Sequence, residues 1–161
     1  MAYIDTMTGL GNRTAFLEEN KSNAIFPGMI SYIMMDANNL KTINDTLGHN
    51  KGDELIITIA KCMRKAVGHN GQCYRIGGDE FVIILKNKTA AETEEIINKV
   101  RCEIEFADKQ SDITISVAIG YVWTDTERKN LEDLMQHADD EMYQDKKKTK
   151  ENKSKENTHS I

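Results

Sequence analysis

The chain has few of the residues that mark disulfide-bonded, zinc-binding or membrane-spanning proteins. It contains one proline and three cysteines in 161 residues. The cysteines are odd in number and lack C-x-x-C spacing, which favours reduced thiols over a disulfide framework or a zinc site. No apolar run approaches the roughly 18 residues of a membrane span, and no signal peptide precedes the first polar residues. We therefore expect a cytoplasmic domain without membrane contact.

The chain also lacks an excess of positive charge. Its formal net charge is −5 at pH 7, which argues against a general nucleic-acid binder, although a local basic cluster could still hold phosphates. A length of 161 residues suits one domain with its own core. Beyond Lys146 the chain is rich in Lys, Glu, Asn and Ser, so we expect a disordered polar tail over residues 151–161.

The most informative segment reads Y-R-I-G-G-D-E-F-V-I-I-L over residues 74–85. Gly77 and Gly78 can adopt backbone angles closed to other residues, which predicts a tight reversal between two strands. Asp79 and Glu80 would then lie at the tip of a rigid hairpin. Paired acids there favour a divalent metal, but a solvated turn explains this motif alone about equally well.

Hydrophobic periodicity predicts alternating strands and helices along the rest of the chain. Apolar residues at helical spacing predict amphipathic helices, and Asn12 is suited to cap the first of them. Continuous or alternating apolar runs predict strands. The predicted helices are 13–20, 40–45, one from about Leu55 that ends by Gly68, 89–106 and one marked by 131–142; the predicted strands are 29–35, 73–76, 81–85 and 113–123.

This order gives the β-α-β-β-α-β pattern of a ferredoxin-like α+β fold, an α/β sandwich with helices flanking a sheet that contains antiparallel pairs. In that topology the first strand and the hairpin are neighbours in the sheet. Asp36, at the end of the first strand, should therefore face Asp79 and Glu80, so that three carboxylates meet as a metal site.

Four separated motifs resemble the GGDEF family, the diguanylate cyclases that join two GTP molecules into cyclic di-GMP. They are R-I-G-G-D-E-F, the stretch D-A-N-N-L-K-T-I-N-D-T-L-G-H-N-K-G-D over residues 36–53, an opening motif at 5–13 and a closing helix at 138–146. The resemblance implies a ferredoxin-like sheet as well. We expect the family domain to span residues 5–150, with residues 1–4 an artificial start or the remnant of an upstream linker.

The resemblance implies a metal and catalytic set on the hairpin and the first strand. Asp36, Asp79 and the carbonyl of Ala37 would hold two Mg²⁺ or Mn²⁺ ions per active site. Asp79 would also accept the proton of the attacking hydroxyl, and Glu80 would complete the metal shell or orient the nucleophile. Lys41, which alone would read as a solvated surface lysine, matches the lysine that offsets charge in the transition state.

The resemblance further implies how GTP is bound. Asn44 and Asp53 match the residues that read guanine, with helix capping as the alternative role, and His49 matches a histidine near the base. The remaining matches contact phosphates, through backbone amides, absent side chains or cations. They are Asn39, Leu40, Gly77, Gly78, Lys146 and Lys150.

The sequence departs from the family pattern at several positions. Asn38 stands where many members carry a second aspartate, and Glu141 and Asp145 replace small residues of the closing helix. Gly68 and Gly71 occupy the positions of the R-x-x-D motif of the family's inhibitory product site. Because the arginine and the acid are both missing, we expect no product inhibition through that site.

Each domain would bind one GTP and react across a transient homodimer with a second GGDEF domain, in a full-length protein that carries an upstream sensor. The main alternative is a catalytically silent module that binds GTP or a partner protein. Such members have usually lost the glycines or acids of the hairpin, which are intact here. A template-dependent polymerase is disfavoured, because a single acidic domain has no room to hold a template.

Overall fold

The computed structural model describes residues 2–125 and 131–159. Together with a 3-10 turn at Gly68–Asn70, five α-helices and four strands occupy this part of the chain. They are α1 (Arg13–Asn23), β1 (Ile30–Ala37), α2 (Leu40–Leu47), α3 (His49–Val67), β2 (Gly71–Arg75), β3 (Glu80–Lys86), α4 (Ala90–Gln110), β4 (Val117–Thr124) and α5 (Leu131–His159).

The four strands form one antiparallel sheet in the order β2-β3-β1-β4. This confirms the predicted α+β, ferredoxin-like fold and the predicted neighbourhood of β1 and the hairpin. Strand β1 is central and pairs with β3 on one side and β4 on the other. Its apolar run is continuous because both faces of the sheet are covered.

The two faces of the sheet support separate hydrophobic cores. The larger core joins α3 and α4 to one face through residues such as Ile33, Leu55 and Ile97. The smaller core joins α1 and α5 to the other face around Phe16, Tyr32 and Ala138. Asp36 follows the alternation of Tyr32 and Met34, so it belongs to the α5 face of the sheet.

Side-chain caps mark the starts of two helices, α1 and α4. The Asn12 side chain accepts a hydrogen bond from the Ala15 amide at 2.9 Å, so the predicted cap of α1 is confirmed. Thr89 and Glu92 form a reciprocal capping box at the start of α4. None of the described helices is both long enough and apolar enough to cross a membrane.

Three predicted features differ from the structure. Strand β4 begins at Val117, because Ile113 and Ile115 are buried in the core without strand pairing and the Ile115 amide bonds to the Asp108 carboxylate. Helix α5 continues to His159, where a disordered tail was predicted from residue 151. Lysine and glutamate are good helix formers and extend a helix already begun.

The third difference concerns the hairpin glycines. Neither Gly77 nor Gly78 has a positive φ angle, so the reversal does not use backbone angles reserved for glycine. A Cβ on Gly78 would meet no atom within 4 Å, and one on Gly77 would approach Glu80 Oε2 at 2.9 Å. The space over Gly78 is therefore open to a ligand.

Candidate active site

The end of β1 meets the tip of the hairpin, as predicted. Asp36 lies opposite Glu80 in the strand register, and the Ala37 amide donates to the Asp79 carbonyl at 2.8 Å. Gly77 and Gly78 complete the turn, where the Ile76 amide donates to the Glu80 carbonyl at 2.9 Å. One main-chain bond thus joins the hairpin tip to the end of β1, and the other closes the turn itself.

Asp36 has the most unusual electrostatic environment of these acids. Its side chain is 15% exposed, and Lys146 Nζ from α5 donates to its Oδ2 at 3.0 Å. Its Oδ1 is buried and has no hydrogen-bond partner among the described residues. Burial, together with the neighbouring Asp79 carboxylate, raises the pKa of the Asp36 carboxyl, and the bond from Lys146 offsets this only in part.

The predicted meeting of three carboxylates is not formed. In residues 2–125 and 131–159, no three His, Cys, Asp or Glu side chains are grouped to hold a metal. Asp36 and Asp79 interact with each other, whereas the Glu80 side chain turns back toward Gly77. The unpartnered, buried Oδ1 and the two neighbouring carboxylates still fit a hard divalent cation, which prefers oxygen ligands.

Arg75 holds the hairpin and has no role in the sequence-based assignment. Its guanidinium donates to the Gly78 carbonyl at 2.9 Å and contacts the Asp5 carboxylate at 3.3 Å. Asp5 also accepts bonds from the amide and hydroxyl of Thr8. Although burial opposes it, these bonds lower the pKa of Asp5. The opening motif therefore anchors the hairpin, a contact across 70 residues that no local pattern reveals.

The β1–α2 loop presents backbone donors beside Asp36. Asn39 is in the left-handed region with φ of 67°, and its side chain makes no capping bond to α2. The side chain of Asn39 therefore does not occupy the N–H groups at the start of α2, including that of Leu40, and these groups can donate to an anion. Lys41 follows as the second residue of α2 and is exposed.

The predicted guanine-reading residues lie where α2 and α3 meet. Asn44 packs its side-chain oxygen against Gly52, leaving no space for a Cβ there. Asp53 follows Gly52 and is exposed, one turn into α3. Gly48 is the N-cap of α3, so Asp53 is not its cap, and His49 is the exposed first residue. The packing role of Gly52 was missed from sequence.

Asn38 is held at the other side of the loop. Its Nδ2 donates to Ser116 Oγ at 2.9 Å, and its amide donates to the Ser116 carbonyl at 2.9 Å. These bonds attach the β1–α2 loop to the segment before β4. An amide at this position thus has a structural role in the chain.

Two lysines on α5 extend the cationic side of the site. Lys146 contacts Asp36, and Lys150 follows one turn later, exposed and on the same face of the helix. No contact joins Lys41 to the carboxylates among the described residues. The structure therefore brings Asp36, Asp79 and Lys146 together, with Lys41 and Lys150 at the periphery.

The positions of the family's product site are glycines with different surroundings. Gly68 has φ of 54° and ends α3. Gly71 lies in β2, where a Cβ would approach the Ile84 carbonyl at 2.6 Å. Both glycines line a cleft that also contains Arg64, whose guanidinium is bonded to the Thr8 carbonyl at 2.7 Å.

Helices on both faces of a ferredoxin-like sheet, with neighbouring carboxylates at the end of its central strand, define the nucleotide-cyclase class of α+β domain. The family model described as "Diguanylate cyclase, GGDEF domain" matches residues 2–152. The chain belongs to the GGDEF family.

Relatives and solved structures agree with this assignment. The chain is 34% identical to the signaling protein YkoW of Bacillus subtilis, over 93% of this chain and 20% of that protein. It is 33% identical to the diguanylate cyclase DgcN of Escherichia coli, over 90% of this chain and 37% of DgcN. The chain thus spans less than half of either relative.

Among solved structures, the GGDEF domain of DgcB from Caulobacter crescentus, in complex with c-di-GMP, superposes with a TM-score of 0.81. It is 25% identical, and the match covers 91% of each chain. The superposition supports the fold and the cyclic di-GMP signalling family.

Proposed function

We propose that the chain is a diguanylate cyclase that condenses two GTP into cyclic di-GMP and two pyrophosphates. The observation that carries this proposal is Asp36, whose buried Oδ1 has no hydrogen-bond partner among the described residues while Asp79 lies beside it. Two neighbouring carboxylates at a fixed point are unfavourable without a cation. A metal-dependent reaction on a phosphate substrate explains why they are placed together.

Asp36, Asp79 and the Ala37 carbonyl would hold Mg²⁺ or Mn²⁺, with Glu80 able to join after a rotation of its exposed side chain. When bound, the ions neutralise the triphosphate and lower the pKa of the attacking 3′-hydroxyl. Asp79 accepts the proton of that hydroxyl. The 3′-oxygen of each GTP forms a bond to the α-phosphorus of the other GTP, the bond from that phosphorus to the α,β-bridging oxygen breaks, and one pyrophosphate leaves. The two reciprocal attacks together release two pyrophosphates.

The remaining residues select and orient GTP. Asp53 accepts hydrogen bonds from guanine N1 and the exocyclic amine, and Asn44 supplies complementary polar contacts. Adenine would leave Asp53 unpaired, so GTP is favoured. The phosphates lie over Gly78 and the start of α2, with Lys41, Lys146 and Lys150 as counter-charges.

One domain carries only half of the reacting atoms. Two GTP-loaded domains must therefore meet face to face, as a transient homodimer in the cytoplasm, and an upstream sensor in a longer protein would control that encounter. The two relatives, of which the matched part makes up 20% and 37%, have room for such segments.

The test is incubation of concentrated protein with GTP and Mg²⁺ followed by chromatography of the nucleotides. We expect cyclic di-GMP from the parent and none from Asp79→Ala, and we expect ATP to be left unchanged. GTP that stays bound without product would instead support the alternative of a silent regulatory module. The intact hairpin glycines and acids argue against that alternative.

A further inference from the structure

Two acids on α5 bond to the exposed edge of the sheet. Strand β4 lies at one edge of the sheet, so the amides that face away from β1 have no neighbouring strand in the part of the chain that the structure describes. The Ile119 amide donates to Asp145 Oδ2 at 2.8 Å, and the Tyr121 amide donates to Glu141 Oε2 at 3.2 Å. These are the two acids that replace small residues in the closing helix.

The spacing of the acids matches the spacing of the amides. Successive outward amides on a strand are two residues apart, or about 6.7 Å, and four residues along a helix span about 6.0 Å. Because α5 runs antiparallel to β4, Glu141 meets Tyr121 and Asp145 meets Ile119. The two bonds therefore fix both the register and the direction of α5 on β4.

Gly120, between the two donors, allows this close approach. A Cβ on Gly120 would overlap the backbone of α5 at Ala138 and Met142. Backbone atoms of a helix cannot rotate away as a side-chain end can. Residues 119–121 thus form a docking point for α5 at the sheet edge.

Of the two acids, Asp145 directly precedes Lys146 in the sequence. It also contacts Arg101 of α4 at 3.5 Å, so it is attached to two elements. The next residue, Lys146, projects to Asp36 with Nζ at 3.0 Å from Oδ2. A residue fixed immediately before Lys146 limits how far that ammonium group can move from the carboxylates.

We propose that Asp145, with Glu141, is a positioning residue that docks α5 on the β4 edge and thereby places Lys146 against the outer phosphates of GTP. This inference rests on the proposed function, because it assumes that Lys146 contacts the triphosphate. Through Lys146, the two bonds from α5 to β4 affect recognition of the phosphate chain of the nucleotide and not recognition of its base.

The test compares the affinities of 3′-deoxy-GTP and 3′-deoxy-GMP, which lack the attacking hydroxyl and so bind without turnover. Lys146→Met should weaken 3′-deoxy-GTP about tenfold. Asp145→Ala should weaken it about three- to fivefold, and Glu141→Ala should shift it in the same direction. The affinity for 3′-deoxy-GMP should stay unchanged in all three.

Two control variants separate positioning from stability. Asp145→Asn keeps an oxygen that can accept the Ile119 amide, so it should retain the triphosphate affinity. Asp140→Ala removes an acid whose carboxylate accepts a bond from Gln136 on the same helix, so it should change neither affinity.

Three results would overturn the inference. Asp145→Ala could weaken both nucleotides equally, which would indicate a general loss of structure. It could leave 3′-deoxy-GTP unchanged while Lys146→Met weakens it, which would show that Lys146 does not need the dock. A parent protein that binds neither nucleotide would contradict the proposed function itself.

Discussion

At the scale of single residues, the site is dominated by how Asp36 is neutralised. The carboxylate is largely buried, one of its oxygens is unpaired among the described residues, and the other is bonded to Lys146. The ammonium group of Lys146 thus compensates charge where a divalent cation fits. If Asp36 holds the metal as proposed, lysine and metal compete for one carboxylate as long as no triphosphate is present.

Replacing Lys146 with Met should consequently strengthen metal binding in the absence of nucleotide. We expect Mn²⁺ to bind about three- to tenfold more tightly to Lys146→Met than to the parent protein. Calorimetry or the loss of the free Mn²⁺ paramagnetic signal would measure this. The exposed Lys148→Met on the same helix serves as the control and should bind Mn²⁺ as the parent does. Unchanged or weaker binding by Lys146→Met would refute the competition.

A substitution at Gly52 tests the proposed guanine-reading role of Asn44. A Cβ at this position would displace the Asn44 side-chain oxygen, which can rotate away, while alanine favours the helix. Gly52→Ala should therefore keep or raise the melting temperature and weaken GTP binding about tenfold. Asn44→Ala should show a similar loss, and the double variant should lose little more. Independent, additive losses would contradict the contact.

What the sequence predicts at this scale depends on whether a role is local. Asp36 and Asp79 were placed correctly because each follows directly from the end of a strand or a turn. Arg75 and Gly52 were missed because their roles depend on Asp5 and Asn44, which belong to other segments. Glu80 was placed in the right register but with the wrong side-chain direction, since register does not fix a rotamer.

At the scale of the elements, helix α5 connects the sheet edge to the carboxylates. Periodicity predicted β1, β3 and α4 to within a few residues, because their apolar residues face packed neighbours. The same rule failed at residues 113–116, where alternate residues are buried without any strand pairing. Alternating apolar residues indicate that one side of a segment is buried, but a strand also requires main-chain hydrogen bonds to a neighbouring strand.

Gly120→Ala tests the docking of α5. Because the added Cβ would overlap helix backbone, α5 must shift, and we expect the free energy of unfolding to fall by about 1–3 kcal/mol. Cyclase activity should fall as well, since Lys146 moves with the helix. Urea titration gives the stability, with Gly78→Ala as the control because its Cβ meets no atom within 4 Å. Equal stabilities of the two variants would contradict the close packing.

At the scale of the whole molecule, the proposed mechanism makes the domain half of a catalytic unit, and glycines stand at positions 68 and 71 of the family's product-site motif. An aspartate at position 71 of that motif would clash with the backbone of β3, because its Cβ would lie 2.6 Å from the Ile84 carbonyl oxygen. The packing of β2 against β3 therefore leaves no space for the acid of the motif at position 71.

Cyclic di-GMP should therefore not act as a tight, noncompetitive inhibitor of this chain. Initial rates of pyrophosphate release, measured with increasing added product at saturating GTP, should remain at the uninhibited value. Pyrophosphate release is the better readout because it is not obscured by the added product. A saturable fall in rate that GTP does not relieve would reveal a product site elsewhere on the molecule.

The most direct measurement of the central claim is the initial rate of cyclic di-GMP formation as a function of protein concentration, with Asp79→Ala as the blank. If two GTP-loaded domains must meet, the rate per domain should rise about in proportion to concentration while monomers predominate. Product that forms at a rate per domain independent of concentration, or GTP that stays unconverted at the highest concentration, would contradict the account.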